Sequence, residues 1–324
     1  MQLYLAPMRG FTDSVYRNVF SRYFDGIDLA IAPFISTMRG DKIKPVHIRG
    51  LLPEQNQSMP LIPQILSNDA DGFIRLAVYL SDLGYKTLNW NLGCPHSMVA
   101  NKKRGSGLLP FPVQIDAFLD RVMPAIPNRL SIKTRLGRYD ADEIFELLPV
   151  FNRYPLEEII IHPRTGVQMY TGKTDLDRFA MCLEISDHPV VYNGDICSRD
   201  DFVRLSARFG RISRWMLGRG VLSDPFLPGT IKRGSVVCTD RIGTLKQFHD
   251  DLFEQYRELL SGPSHVVQRM KGLWRYTAQP FPDNGKVLKK IYRARDIDSY
   301  RQWVEAFFES ASLEKCCSSS VSAP

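Results

Sequence analysis

Eight short apolar runs limit the fold more than any other feature of the chain. They read "LYLAPM", "LAIAPF", "LIPQIL", "TLNWNLG", "LSIKTRLG", "EIIIHPRT", "VVYNGDI" and "RWMLGRG". Each ends in a polar or Gly/Pro break, and helix-period sequence fills the gaps. "DSVYRNVFSRYF" sets Val15, Val19, Phe20 and Tyr23 on one stripe. "DGFIRLAVYLSDLG" and "RDDFVRLSARFG" close on Gly84 and Gly210, where a glycine can end a helix. Eight strand–helix units over residues 3–220 predict a TIM (β/α)8 barrel. A doubly wound open sheet is the alternative, and the even length of the units favours closure.

The texture changes after "GRG". Residues 221–240, with Pro225, Pro228, Gly229 and Gly234, read as loop. Helical periods then continue without strands. One face carries Leu245, Phe248, Leu252, Phe253, Tyr256 and Leu259. A second carries Val266, Val267, Met270, Leu273 and Trp274, and a third Tyr300, Trp303, Val304, Phe307 and Phe308. The expected division is a barrel domain at 1–235, a small all-helical domain at 241–311 and a disordered tail at 312–324.

Of the 324 residues, 24% are charged and 44% hydrophobic, an ordinary globular balance. The net charge is +7, and it is concentrated. Between Arg269 and Arg295 stand eight basic residues and one acid, a surplus equal to that of the whole chain. A stripe of this kind suits a polyanion; a solvated basic surface is the plainer reading. No apolar run is long enough to span a bilayer, and no basic-then-apolar leader opens the chain. The six cysteines lack paired metal spacing and do not suggest a disulfide framework. A cytoplasmic monomer with no metal and no membrane contact is expected.

In a TIM barrel the chemistry sits at the C-terminal ends of the strands. Those ends carry Pro7, Met8 and Arg9; Gln64; Asn91 and Cys94; Lys133 and Arg135; His162, Arg164 and Thr165; Asn193, Gly194 and Asp195; and Gly218, Arg219 and Gly220. Singly, each has a bland reading: a solvated lysine, a satisfied core histidine, a buried structural thiol. Together they make a site, because each buried polar group left unpaired would cost about 1–3 kcal/mol. The glycines after the seventh and eighth runs mark the corner where such barrels build phosphate sites, and Arg219 can pair with a phosphate. Flavin mononucleotide fits, with Lys133 stabilising negative charge on its ring. No Rossmann or P-loop motif is present.

"LAPMRGFTDSVYR", "QILSND", "NWNLGCPHSMVANKKRGSGLL", "IKTRLG", "IIIHPRTGVQMYTG", "VVYNGDI" and "MLGRG", in that order, resemble the tRNA-dihydrouridine synthase family. "VVQRMKGLWRY" resembles the basic helical segment which that family adds after its barrel. The resemblance implies an FMN-binding barrel, a tRNA-binding helical domain and NADPH-dependent reduction of a tRNA uridine to 5,6-dihydrouridine. It matches Cys94 to the proton donor. It matches Pro7, Met8, Arg9, Gln64, Lys133, His162, Asn193, Gly194, Asp195, Gly218 and Arg219 to cofactor contacts. Asn91 and Arg164 fall near the uracil, and Lys271 and Arg275 fall on the tRNA side. Asn89 stands where the family usually has an acid, and Pro163 where glycine is common.

A cysteine thiol, with a reference pKa of about 8.5, is protonated at neutral pH and able to donate, as a general acid at uracil carbon 5 must be. Three other readings compete. An FMN dehydrogenase of free pyrimidines would not need the basic stripe. A redox-inactive RNA-binding homologue would not need Cys94, Lys133 and His162 together. A Schiff-base aldolase on Lys133 leaves the cysteine loop unexplained.

Overall fold

The computed structural model describes residues 1–37, 45–235, 238–281 and 284–311, so the tail expected at 312–324 lies outside the described residues. Ten strands, all paired parallel, follow in chain order. They are β1 (Gln2–Leu5), β2 (Leu29–Ile31), β3 (Ile35–Ser36), β4 (Leu61–Ile62), β5 (Gln64–Leu66), β6 (Thr87–Leu92), β7 (Arg129–Gly137), β8 (Ile159–Thr165), β9 (Val190–Tyr192) and β10 (Arg214–Leu217). The sheet order is β3-β5-β6-β7-β8-β9-β10-β1-β2-β4. Pro33 interrupts the run holding β2 and β3, and Pro63 alone separates β4 from β5, because neither proline can donate to a ladder. The two ends of the sheet order are therefore continuous through the chain. The ten segments are the eight apolar runs of the sequence, closed into a TIM-barrel-like ring.

Alternation along the strands sorts the side chains. Tyr4, Ala6, Ile31, Ile160, Val191 and Met216 fill the inside of the ring. Their neighbours Leu3, Leu5, Ile159, Ile161, Trp215 and Leu217 pack outward under the helices. At the N-terminal end of the ring Glu158 is buried and accepts from Tyr4 Oη at 3.0 Å and Arg214 Nη1 at 2.8 Å. Higher up, a chain of amides crosses the interior. Gln64 Nε2 donates to Asn89 Oδ1 at 2.7 Å, and Asn89 Nδ2 donates to Ser131 Oγ at 2.8 Å. Asn91 Nδ2 donates to Gln64 Oε1 at 2.7 Å. Asn89, at the position where the resembled family usually has an acid, is thus paired on both amide atoms.

The helix Ser14–Tyr23 buries Val19 and Phe20 as the stripe predicts, with Tyr16 and Arg17 where Val15 and Tyr23 were expected. Helix Ala70–Asp82 is followed by Gly84 at φ +94°, a left-handed end that only glycine adopts freely. Gly210 follows helix Arg199–Arg208 without adopting that conformation. The loop read at 221–240 is a correction. Helices Arg219–Ser223 and Leu227–Arg233 occupy half of it. Pro228 sits in a first turn, where no N–H is required, and Gly234 at φ +80° closes the second helix. These residues are helix punctuation rather than loop.

Four further helices follow: Arg241–Leu259, Pro263–Thr277, Gly285–Arg293 and Ile297–Glu309. The first packs on helix Ser14–Tyr23, with Tyr16 edge-on to Phe248 and Tyr256 Oη donating to Asp13 at 2.8 Å. Leu259, predicted on its apolar face, is 38% exposed at the fraying end. Trp274, Tyr300, Phe307 and Phe308 are buried between the helices, with Trp303 half-buried under Lys290. Helix Gly285–Arg293 carries the basic run Lys286, Lys289, Lys290 and Arg293 on an exposed face, with Ile291 as its buried anchor.

Candidate active site

The C-terminal strand ends open into one cavity of about 690 Å³, inside the usual range for small-molecule sites. Pro7, Met8, Arg9, Asn91, Cys94, Lys133, His162, Asn193, Gly194, Asp195, Gly218 and Arg219 all line it. Residues read from six separate runs therefore converge on one space. Two predicted residues stand behind its wall. Gln64 is buried in the amide chain and reaches the site only through Asn91. Arg164 is 2% exposed and clamps Asp195, with Nη1 donating to Oδ1 at 2.9 Å and Nη2 to Oδ2.

Cys94 is fixed from both sides. Asn91 Oδ1 accepts from the backbone N–H of Gly93 at 3.1 Å and of Cys94 at 2.9 Å. The Cys94 carbonyl accepts from Ser106 N and Ser106 Oγ, both at 3.0 Å. Arg138 ties the same loop down, donating to Pro95 O at 3.1 Å and Ser106 Oγ at 3.3 Å. Gly105, at φ +55°, lets the chain return: a Cβ there would stand 2.8 Å from the Cys94 carbonyl oxygen. The thiol is free. Burial pushes its pKa up, outweighing a backbone hydrogen bond at His96 and the charges of Arg135, Arg9 and Lys133. It is a protonated thiol at neutral pH.

The lysine and histidine beside it are set by the same burial. Lys133 drops to about 7, through desolvation first and the charge of Arg135 second. Its ammonium has no hydrogen-bond or ion-pair partner among the described residues. His162 is held well below its ordinary value by burial and then by Arg135, Lys133, Arg164 and Arg219, so the ring is neutral. Arg164 Nη1 lies 3.2 Å from His162 Nε2. Arginine can only donate, so Nε2 accepts and Nδ1 carries the proton. Arg135, buried at the end of β7, holds the backbone with bonds to Gly93 O, Thr165 O and Met169 O.

At the β9 and β10 ends Asp195 joins two arginines, Arg164 and Arg219, the latter at 2.5 Å. Burial works against its charge, yet the Arg164 hydrogen bonds and both guanidinium charges keep its carboxyl below the usual range. Gly220 approaches the β9 loop so closely that a Cβ would sit 2.2 Å from Ile196 O. Arg219 also lies over the Tyr170 ring at 5.2 Å, with Arg135 near the same ring at 5.3 Å.

Several lining groups escaped the sequence reading as site residues. Arg135 stood at a strand end but matched no assigned role. Tyr170 lay inside the quoted "HPRTGVQMYTG". Phe34 and Phe11 lay inside the quoted "LAIAPF" and "LAPMRGFTDSVYR" without an assigned role, and Tyr276 reaches the cavity from helix Pro263–Thr277, which only tertiary packing can bring there. Lys271 and Arg275 line no part of the cavity. Arg275 is exposed. Lys271 is a correction: it is 9% exposed and its ammonium is bonded to the Ala294 carbonyl, so its charge serves the packing of two helices instead of a surface partner.

The profile of the family described as dihydrouridine synthase (Dus) matches residues 4–310. The chain belongs to the dihydrouridine synthase family. A probable tRNA-dihydrouridine synthase from Staphylococcus epidermidis is 30% identical over 258 residues, covering 78% of each chain. A tRNA-dihydrouridine(16) synthase from Aquipseudomonas alcaligenes is 26% identical over 314 residues, covering 93% of this chain and 98% of its own length. Among solved structures, the old yellow enzyme homologue from Zymomonas mobilis superposes with a TM-score of 0.53 at 13% identity, covering 75% of this chain and 91% of its own. A morphinone reductase gives 0.51 at 9% identity, covering 75% and 89%. At such identity these two establish the shared barrel alone. The family makes this chain an oxidoreductase acting on tRNA. No described helix is long and apolar enough to cross a membrane, and no group of metal-ligating side chains is found among the described residues.

Proposed function

We propose that this protein reduces a specific uridine of tRNA to 5,6-dihydrouridine, with FMN as its bound cofactor and NADPH as reductant. One observation carries the reading: Cys94, Lys133 and His162 meet in a single cavity, with the thiol protonated and the ammonium unpartnered. An unpartnered amine with a pKa of about 7 facing a cavity of this size fits an anionic ligand, whose charge would hold the proton on it. Pro7, Met8, Arg9, Lys133, His162, Asn193, Gly194, Asp195, Gly218 and Arg219 would hold the cofactor, with Gln64 acting through Asn91. Its phosphate belongs at the β9 and β10 ends, beside Arg219. FMN, when bound, supplies hydride to carbon 6 of the uracil.

The chain does the rest. Lys133 supplies positive charge next to the reacting ring. Asn91 holds the Cys94 loop, and Cys94 gives its proton to carbon 5. Arg164 keeps His162 in the tautomer that donates from Nδ1. Reaching this recessed site requires the uridine to leave the tRNA stack, at a cost of a few kcal/mol. The helical segment 241–311 offers backbone contacts to offset that cost, through Arg275, Lys286, Lys289, Lys290, Arg293 and Arg295, all exposed. The relative whose alignment runs through these helices is named for position 16, and that position is the proposed one here.

The test is direct. Purified protein should carry non-covalent flavin, NADPH should bleach it, and unmodified tRNA should restore its colour. Mapping dihydrouridine in tRNA from cells lacking the protein should show one position lost. A colourless protein that FMN cannot reconstitute would sink the proposal, and turnover of free uracil without tRNA would favour the free-pyrimidine alternative.

A further inference from the structure

The helical segment does more than flank the barrel. Helix Pro263–Thr277 is pinned across the mouth of the ring at two places. Arg269 Nη1 donates to the Gly10 carbonyl at 2.7 Å and lies 3.6 Å from Asp13, on the loop that follows β1. Just past the C-terminal end of the helix, Ser223 Oγ donates to Gln279 Oε1 at 2.7 Å, on the short helix that follows β10. Between these anchors the helix delivers Tyr276 into the cavity wall. β1 and β10 are neighbours in the ring, on the side opposite β6 and β7, which carry Cys94 and Lys133. Tyr276 therefore faces the reacting groups from across the cavity.

The ring is held but not used up. Phe11 meets it edge-on, with centroids 5.2 Å apart and planes at 88°. No other aromatic or cationic side chain stacks on it, and its hydroxyl has no hydrogen-bond partner, among the described residues. The residue before it, Arg275, is exposed. A half-buried aromatic held at the cavity wall, next in sequence to an exposed arginine, supplies the two kinds of group that bind single-stranded nucleic acid, a ring to stack on a base and a cation to pair with a phosphate.

We propose that Tyr276 stacks on a base adjoining the uridine that enters the cavity, so that the helical segment builds part of the reaction site. The inference rests on the reading that tRNA is the substrate. It makes Tyr276 a positioning residue: it sets where the displaced strand lies relative to Cys94 and takes no part in the hydride or proton transfer.

The experiment compares Tyr276→Ala, Tyr276→Phe and Tyr276→Trp with wild-type holoenzyme, using an unmodified tRNA transcript. Oxidation of the reduced flavin by tRNA should slow about fivefold to a hundredfold in the Ala variant, the worth of one stacked base. The Phe and Trp variants should stay near wild type. Flavin content and the rate of reduction by NADPH should be unchanged in all of them, and Tm should fall in the Ala variant only by the loss of the Phe11 contact. Loss of flavin, or equal slowing of both half-reactions, assigns Tyr276 to the cofactor or to packing and overturns the proposal. Unaltered tRNA kinetics in the Ala variant, with an active wild type, overturns this inference alone. A wild type whose reduced flavin is not oxidised by tRNA overturns the tRNA reading and this inference with it.

Discussion

Replacing Cys94 with alanine separates chemistry from architecture. The loop that carries Cys94 is held by main-chain bonds: Asn91 Oδ1 to its N–H, and Ser106 N and Oγ to its carbonyl. None of these involves the sulfur, and alanine gives up only the backbone bond at His96, so the variant should keep the loop geometry and lose about 1 kcal/mol of stability. Lys133, Asp195 and Arg219 are untouched, and reduction of bound flavin by NADPH should run at the wild-type rate. Oxidation of that flavin by tRNA should slow by roughly 10²–10⁴-fold, the usual worth of a positioned acid. The pH profile adds a second check. An acid must be protonated to act, and burial raises this thiol above its ordinary value. The wild-type tRNA step should therefore hold its rate past the ordinary thiol range and fall only as pH rises through the elevated value. Stopped-flow measurement of the two half-reactions, with a melting curve, reads all three quantities. A fast tRNA step in the Ala variant, or a large fall in Tm with both steps impaired, would refute the assignment of Cys94 as acid.

Gly105→Ala should misplace the same loop, because its Cβ would meet the Cys94 carbonyl at 2.8 Å from a left-handed backbone; about a hundredfold loss in the tRNA step with flavin retained is expected from a displacement near 1 Å. Lys133→Met should lose flavin affinity yet raise the Tm of the flavin-free protein. The lysine pKa is depressed in the fold, so the unfolded chain binds more protons between about 7 and the ordinary lysine value; wild-type stability climbs with pH across that window, and the Tm advantage of the variant should be full below it and vanish at its top. Glu158→Ala should cost about 3 kcal/mol in a denaturant titration, the low end for breaking a buried pair because Arg214 keeps 28% exposure, with activity per folded molecule unchanged. Arg275→Glu should weaken tRNA binding and lower its salt dependence while NADPH reduction is unaffected, whereas Lys271→Glu should fall in the melting curve before any binding effect can be read.

The barrel was legible because its strands are buried and short, so each left an unbroken apolar run between polar ends. The convergence of twelve strand-end residues on one cavity follows from that topology: in a closed parallel ring, every strand delivers its C-terminal neighbours to the same mouth. The misreadings have physical causes. Pro228 and Gly234 have the same composition in a loop and in a capped helix, and only the backbone around them tells the two apart. Gln64 and Arg164 lie on the same strands as lining residues, but Gln64 faces the interior one layer lower, in the amide chain beneath Asn91, and Asp195 holds Arg164 behind the wall.

Lys271 and Tyr276 show the limit most sharply. On a helix drawn from sequence, Lys271 and Arg275 share a face one turn apart and read as a basic pair. Whether that face meets solvent depends on what packs over it, and here the Ala294 carbonyl at the end of the next helix caps the lysine. The same helix, docked on the barrel, turns Tyr276 toward the cavity. A charge count along the segment cannot separate these two consequences, because the first comes from the neighbouring helix that packs over Lys271 and the second from where Arg269 and Ser223 fasten the helix to the barrel. The basic stripe and the reaction site are therefore parts of one mounting, so a change at either anchor should disturb tRNA placement before it disturbs the flavin.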